Sequence, residues 1–154
     1  MSESASPARK VLGSYVTNHE FGGMRIPVPV QSLVLRDYAA KNNLVFKLPV
    51  GEYFFPNCYV QLYGLLKKIS GLEGIGMCSL FMLPKNQDAR LDIYRTLLRE
   101  GVALHCVLES FVMRSEADVE TAESIYAFQT TLAACPKTIP AELLPTLQLT
   151  PSFT

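Results

Sequence analysis

Residues 75–82 read IGMCSLFM, and this stretch decides the fold. It is a nearly unbroken run of apolar and small residues, and Pro84 ends it. A strand buried on both faces has this pattern, whereas a strand with one face in solvent alternates apolar and polar residues. Doubly buried strands belong to parallel sheets with helices on each side, so the run indicates an α/β protein.

Three more short apolar runs, 11–17, 44–48 and 102–108, predict the other strands of this sheet. Helical patterns alternate with them, and strand–helix–strand units connect parallel strands through right-handed crossovers. We therefore expect a three-layer α/β fold with a four-stranded, mainly parallel sheet and helices on both of its faces.

Each helix has its own start signal. Pro27 and Pro29 introduce the first helix, and Asn42-Asn43 ends it. Its inner face is predicted to carry Val30, Leu33, Val34 and Tyr38. Asn57 and Asp88 are the predicted N-caps of the second and third helices, which Gly71 and Gly101 end. A capping box at 115–118 precedes a fourth helix over 116–134.

The chain divides into three parts. Residues 1–10 are polar and predict a flexible lead-in, and residues 11–134 form the α/β domain. The tail, 135–154, is rich in proline yet carries six large apolar side chains: Ile139, Leu143, Leu144, Leu147, Leu149 and Phe153. We expect it to pack on this subunit or on a neighbouring one.

The amino-acid composition of the chain argues against several classes of function. The 154 residues include 14 Lys+Arg and 14 Asp+Glu, and this balance argues against binding nucleic acid or an anionic membrane. It favours self-association, so we expect a homodimer or higher oligomer. No run is long enough to span a bilayer, and no signal peptide is evident. The four cysteines are scattered, which indicates buried free thiols in a cytoplasmic protein and no metal site.

In open α/β sheets, ligands bind beyond the carboxyl ends of the strands. Glu52 follows the second strand and Glu109 follows the fourth, so both are expected there as catalytic acids or bases, with His105 as a third candidate. The alternatives stay open. Glu52 could satisfy backbone amides at a helix start, His105 could be a core histidine, and Glu109 could pair with Arg25 or Arg90.

A second group of residues is expected to bind a substrate at the same edge: Arg25, Asn57, Tyr59, Ser79 and Arg90. Arginines suit an anionic group such as a nucleotide-sugar phosphate. Ser79 has no base near it in sequence, so a hydrogen-bonding role is the alternative. His19 and Glu20 follow the first strand and are candidates by position. No cofactor is expected, because neither GxxxxGK[ST] nor GxGxxG occurs.

One resemblance covers about residues 11–134. Its matching segments are Gly13-Ser14-Tyr15, Arg25, Pro27, Gln31, Leu35-Arg36-Asp37-Tyr38, Glu52-Tyr53, Pro56-Asn57-Cys58-Tyr59, Ser79-Leu80-Phe81-Met82-Leu83-Pro84 and Ile93-Tyr94. The order of these segments resembles the sporadic carbohydrate cluster proteins. The resemblance implies a bacterial protein of surface-polysaccharide biosynthesis, with a sugar or nucleotide-sugar ligand, and it implies no particular reaction.

A second pattern is similar to the serine-resolvase catalytic domain. It comprises Gln31, Tyr38-Ala39, Asn42-Asn43-Leu44, Ser79–Lys85 and Gly101–Glu109. The likeness implies a resolvase-like or flavodoxin-like fold. Phe81, Met82 and Lys85 stand where that family has Asp, Arg and Arg, and strand exchange needs guanidinium groups to neutralise the phosphate. We therefore expect no recombinase activity.

Two functions remain open. The first is a small carbohydrate-modifying enzyme that uses Glu52, Glu109 and His105 at the carboxyl edge of the sheet. The second is a non-catalytic oligomeric scaffold in the same pathway, with helix 116–134 and the tail as its interface. A deep pocket lined by Glu52, Ser79, Arg90 and Glu109 would favour the enzyme, and a flat, filled edge would favour the scaffold.

Overall fold

The computed structural model describes residues 10–135, and the strands within this range form one sheet. Its strands are β1 (Val11–Val16), β2 (Val45–Phe46), β3 (Val50–Gly51), β4 (Gly74–Met77), β5 (Ala103–Cys106) and β6 (Phe111–Met113). β2 and β3 both pair with β1, on the side away from β4, and the order continues through β5 to β6. All pairings are parallel except that of β5 with β6.

The mostly parallel sheet is confirmed, but it has six strands rather than four. The predicted strand 44–48 is shortened to β2, and β3 continues the pairing with β1 beyond Pro49. A proline has no N–H to donate to a ladder, so the two segments stay separate. β6 was missed because it has only three residues, and it begins directly after a turn at Ser110 with φ of 50°.

The run that decided the fold is a shorter strand than predicted. β4 ends at Met77, and Leu80–Met82 forms a turn of 3-10 helix instead. The Ser79 hydroxyl oxygen accepts from the Phe81 amide at 3.1 Å, and the Glu109 carboxylate accepts from the Leu80 amide at 3.0 Å. These side-chain acceptors take the amides that a longer strand would have given to its neighbour.

The helices are α1 (Val28–Lys41), α2 (Val60–Leu66), α3 (Gln87–Glu100) and α4 (Glu116–Ala134). α1 packs on β1, β2 and β4, whereas α3 packs against both α2 and α4. The crossover through α1 runs across the sheet in the direction opposite to those through α2 and α3. Right-handed crossovers therefore place α1 on one face and the other helices on the opposite face.

The predicted inner face of α1 is half correct, because Val34 and Tyr38 are partly buried whereas Val30 is exposed. Gln31, Leu35 and Ala39 are buried, whereas Leu33 is 62% exposed. A glutamine is seldom predicted to lie in a core, but both polar atoms of the Gln31 side chain have hydrogen-bond partners here. Gln31 Nε2 donates to the carbonyls of Thr17 and Ile26 at 2.6 and 2.7 Å, and Gln31 Oε1 accepts from the Thr17 amide at 3.1 Å. These bonds fix the end of β1 against α1.

The start signals are confirmed for α1, which begins directly after Pro27, and for α4, and they are wrong for α2 and α3. The capping box of Ser115 with Asp118 opens α4, as predicted. The N-cap of α3 is Asn86, whose side chain accepts from the Ala89 amide at 3.0 Å, rather than Asp88. Asn57 caps nothing, because α2 begins three residues later and Asn57 lies in a turn with φ of 54°.

The core lies between the sheet and its two helix layers. Its largest fully buried side chains include Tyr15 and Tyr94, and burying side chains of this size contributes roughly 1.5–3 kcal/mol each. Cys78 and Cys106 are buried free thiols, and burial raises the pKa of Cys78 to about 11. The expected lead-in, apart from Lys10, and the tail beyond Cys135 lie outside the described residues. Within 10–135, no helix is long and apolar enough to cross a membrane.

Candidate functional site

A cleft of about 560 Å³ opens at the carboxyl edge of the sheet. Three of its walls are segments that follow strands β1, β3 and β4, and the fourth is the second half of α4. The lining residues are Glu20, Phe21, Gly22, Gly23, Tyr59, Phe81, Lys85, Tyr126, Gln129, Thr130 and Ala133. This is the position at which parallel α/β sheets bind their ligands.

Aromatic rings form much of the cleft wall. The ring centroids of Phe81 and Tyr126 lie 5.4 Å apart with the planes tilted by 57°. Gly22 packs against Phe81, and a Cβ at Gly22 would lie 2.9 Å from that ring. Gly22 also has φ of 57°, so glycine satisfies both the close approach and the left-handed backbone. The loop after β1 is thereby held closely against the wall.

Arg90 supports the cleft from behind. Its guanidinium lies 3.7 Å from the centre of the Tyr126 ring, and its Nε and Nη2 donate to the Glu123 carboxylate at 2.9 and 2.7 Å. Arg90 Nη1 also donates to the Lys85 carbonyl at 2.7 Å. Hydrogen bonding to Arg90 lowers the pKa of Glu123. Arg90 thus joins α3, α4 and the segment after β4, and its expected pairing with Glu109 is replaced by Glu123.

Glu52 lies at the same edge, but its carboxylate is 6% exposed and fully engaged. It accepts from the Tyr15 hydroxyl at 2.9 Å and from three amides, those of Tyr53, Gln61 and Leu62, at 3.1 Å each. Burial alone would raise the pKa of Glu52, yet these donors lower it, so the group is ionised. The geometry matches the alternative given from sequence, a carboxylate at a helix start.

Ser79 and Glu109 form a second hydrogen-bonded unit at this edge. Ser79 Oγ donates to Glu109 at 2.6 Å, and the same carboxylate accepts from the Leu80 amide. The two residues follow β4 and β5, so the sequence placed them correctly at neighbouring strand ends. Their contacts order the segment that carries Phe81, while neither side chain lines the cleft.

His105 lies away from the cleft. Its Nε2 is 2.7 Å from Glu73, the residue that precedes β4, so the ring is held at the amino side of the sheet. Its Nδ1 is 2.7 Å from the Tyr38 hydroxyl on α1, and Arg114 donates to Glu73 at 2.8 Å. Burial lowers the pKa of His105, and Glu73 only partly opposes this. His105 therefore does not join Glu52 and Glu109 in one site.

Of the other residues that were expected to bind a substrate, one lines the cleft and two do not. Tyr59 lines the cleft. Arg25 and Asn57 are exposed and are not part of its lining. Across residues 10–135, no three His, Cys, Asp or Glu side chains are close enough together to hold a metal ion.

Sequence reasoning missed four lining side chains that matter most: Phe81, Lys85, Tyr126 and Gln129. Phe81 and Lys85 stand out in the sequence only as departures from a recombinase pattern, and Tyr126 lies within the predicted helix 116–134. A usable signal existed for Phe81 and Lys85, because both closely follow a strand. No sequence signal identified Tyr126 and Gln129, because their position in the cleft depends on how α4 crosses the edge of the sheet.

Comparisons with known proteins support the fold alone. No protein-family model matches the chain, so the resemblance to the sporadic carbohydrate cluster proteins gains no support, and no curated protein matches it. Several solved structures are similar, among them the following two. A resolvase family site-specific recombinase from Streptococcus pneumoniae has a TM-score of 0.62 at 11% identity, over 82% of this chain and 91% of that one. The N-terminal catalytic domain of TP901-1 integrase has 0.56 at 13%, over 81% and 98%.

Proposed function

We propose that the protein binds a small polar ligand with a sugar ring, such as a nucleotide sugar, in the cleft at the carboxyl edge of the sheet. One observation carries this proposal: aromatic rings and hydrogen-bonding side chains share the lining of a cleft of about 560 Å³. Volumes of 300–1,000 Å³ are usual for small-molecule sites, in which apolar walls surround a few polar groups.

The groups in the cleft match the parts of such a ligand. Phe81, Tyr59 and Tyr126 offer apolar ring surface, while Gln129 and Thr130 offer neutral hydrogen-bonding groups. Lys85 provides a cation for a phosphate or a sugar carboxylate. The resemblance noted in the sequence adds the pathway to this proposal, namely bacterial surface-polysaccharide biosynthesis.

The charge of the cleft disfavours DNA, although one structural neighbour is a recombinase by name and the other is an integrase. Among residues 10–135, its lining contains one cation, Lys85, and one carboxylate, Glu20. Arg90, the nearest buried guanidinium, is committed to Glu123. A polyanion needs several cations along its path, so a ligand with one anionic group fits better.

Binding is a better-supported role than catalysis by the three residues named from sequence. Glu52 and Glu109 are occupied by protein donors, and His105 lies on the α1 side of the sheet. Their catalytic role stays a prediction. The oligomeric scaffold remains a second candidate function, and Phe128, which is 65% exposed on α4, is the observation that favours it.

Thermal unfolding in the presence of UDP-glucose, with UDP and glucose alone as comparisons, tests the proposal. A specific ligand raises the melting temperature by mass action. We expect a shift with the wild type that Lys85→Gln reduces and Tyr126→Ala abolishes, while Lys41→Gln, on α1, retains it. Equal shifts in all four proteins, or none with any sugar nucleotide tested, would leave the scaffold as the better function.

A further inference from the structure

Four charged or titratable side chains form a line of hydrogen bonds on the α1 side of the sheet. Arg114 donates to one oxygen of Glu73 at 2.8 Å, and the other oxygen of Glu73 lies 2.7 Å from His105 Nε2. The Tyr38 hydroxyl lies 2.7 Å from His105 Nδ1 and completes the line. We call Tyr38, His105 and Glu73 the relay. None of its residues lines the cleft described above, so binding of a sugar ligand there does not explain them.

The ionisation of Glu73 fixes the direction of these hydrogen bonds. Burial alone would raise the pKa of Glu73, but the hydrogen bonds from Arg114 and His105 lower it, so the carboxylate is ionised. An ionised carboxylate only accepts hydrogen bonds, and His105 Nε2 therefore carries the proton. Burial also lowers the pKa of His105, which leaves the ring neutral and Nδ1 without a proton. Tyr38 consequently donates its hydroxyl proton to a base.

The relay has the arrangement of an activated nucleophile. Such a nucleophile has a base within about 2.6–3.2 Å, and a third side chain orients the base. Here the base is firmly held, because His105 is 3% exposed and its ring lies so close to Gly74 that a Cβ there would be 2.5 Å away. Among the described residues, none donates a hydrogen bond to the Tyr38 hydroxyl oxygen. The lone pairs of this oxygen are therefore available to an electrophile.

Tyr38 is half-buried and lines a groove of about 390 Å³ between α1 and the β5–β6 hairpin. The charged residues of this lining within 10–135 are Asp37 and Lys41, which pair with each other at 2.7 Å. Much of the remaining lining is apolar, namely Val34, Val107, Phe111 and Val112. Among these described side chains a phosphate would find no unpaired cation, so the groove is better suited to an uncharged acyl chain.

We propose that the relay hydrolyses small carboxylic esters, with Tyr38 as the nucleophile, His105 as the base and the acyl chain in this groove. The Tyr38 oxygen attacks the carbonyl carbon of the ester while its proton passes to His105 Nδ1. The bond between the carbonyl carbon and the alcohol oxygen then breaks, and the alcohol leaves with that proton. Water attacks the acyl-tyrosine as it gives a proton to His105, and the acid is released when the Tyr38 oxygen takes that proton back. Glu73 touches no reacting atom and is a positioning residue.

Hydrolysis of p-nitrophenyl butyrate by the full chain, corrected for the rate without protein, tests this inference. His105→Gln should lower the rate about 100-fold, because a positioned base typically contributes at least that much. Tyr38→Phe should lower the rate as far. In the wild type, but not in this variant, a reaction stopped in acid should show a butyryl group on residue 38 by mass spectrometry of its peptides. Tyr63→Phe, which changes an exposed tyrosine on α2, is the matched control and should keep the wild-type rate. Thermal unfolding of each variant shows that it is folded.

The pH dependence of the rate separates this role from a structural one. The groups that face His105 are Tyr38 from α1, Glu73 before β4 and Arg114 after β6. Hydrolysis needs the neutral ring, so the rate should fall as the pH drops through the pKa of His105, which lies below its ordinary value of 6.5. Glu73 raises that pKa against the effect of burial, so Glu73→Gln should move the fall to lower pH.

Four outcomes would overturn the inference. The wild type does not hydrolyse the ester, Tyr38→Phe keeps the wild-type rate, the butyryl group is found on Lys41 instead of Tyr38, or the rate does not fall at acidic pH. UDP-glucose binding in the cleft is independent of all these outcomes, because the relay contributes no residue to the lining of the cleft.

Discussion

Tyr15 donates its hydroxyl proton to Glu52 across 2.9 Å, and the two residues are 37 positions apart in sequence. Tyr15 belongs to β1, next to the central strand β4, and Glu52 to the loop before α2, so this bond ties the loop to the sheet. Burial and the Glu52 charge both raise the pKa of Tyr15, which keeps the phenol protonated as a donor. The pair fixes the loop after β3 at the edge where the cleft opens.

The first prediction concerns this pair. Glu52→Gln removes the charge that four hydrogen-bond donors share and turns an NH₂ toward some of them, so unfolding should become easier by about 1–3 kcal/mol. Tyr15→Phe removes one donor and should cost about 0.5–1.5 kcal/mol. Urea denaturation of both single variants and of the double variant measures the coupling. Purely additive losses would show that the two side chains do not interact.

The second prediction is that the stability of the fold decreases at acidic pH. Glu52, Glu73 and Glu123 each have a pKa below the ordinary value of 4.5 in the folded chain. The unfolded chain therefore binds protons first as the pH falls. Stability from these groups should be complete above about pH 5 and decline below about pH 4.5. Urea titrations at several pH values measure the decline, and Glu52→Gln should make it shallower.

The third prediction concerns His105, whose pKa burial lowers from 6.5. The unfolded chain again takes up the proton more readily, so stability should begin to fall as the pH drops through about 6.5. In His105→Gln this earlier decline should disappear while the one below pH 4.5 persists. NMR of the imidazole in the folded wild type should show it titrating below its ordinary range. An ordinary or higher value would contradict the neutral ring bonded to Tyr38.

The fourth prediction compares two glycines. A Cβ at Gly74 would lie 2.5 Å from the His105 ring and 2.8 Å from the Ala103 carbonyl oxygen, and that backbone cannot move freely. Gly74→Ala should therefore destabilise the fold by about 1–3 kcal/mol. At Gly64, inside α2, a Cβ meets nothing within 4 Å. Gly64→Ala should stabilise by about 0.5–1 kcal/mol, and thermal unfolding of both variants checks the contrast.

The fifth prediction concerns the support of the cleft wall. Arg90→Lys loses the two-point contact with Glu123 and weakens the stacking on Tyr126, so it should cost about 1–3 kcal/mol. Amide exchange should accelerate in α4 around Tyr126. Arg95→Lys is the control, because its pair with Asp92 is exposed on both sides. Unchanged exchange in α4 would mean that Arg90 does not hold that helix.

Local sequence patterns predicted several helices and strands correctly but did not predict which side chains of α1 are buried. The capping box defined α4, and the buried run located β4 and the parallel sheet around it. The inner face of α1 could not be predicted, because Val30 and Leu33 are more apolar than Gln31. Gln31 is buried because Thr17, directly after β1, supplies two backbone partners for its amide and Ile26 supplies a third. Those partners are 14 and 5 residues away, outside any helical period.

The candidate site could likewise be predicted only in part. The rule for strand ends located Glu52, Ser79 and Glu109 at the correct edge. It could not show that Glu52 would be used by the amides of α2, nor that Glu109 would be used by Ser79 and Leu80. His105 looked similar in sequence, but its ring turns toward Glu73 and the amino side.

The class of fold, the order of the helices and main strands, and the edge at which the cleft opens could be predicted from the chain alone. These follow from apolar periodicity and capping, which act over a few residues. Only the tertiary structure decided which side chains line the cleft and which carboxylates are already occupied. Hydrogen bonds and packing between residues far apart in the chain settle those choices, and no local pattern encodes them.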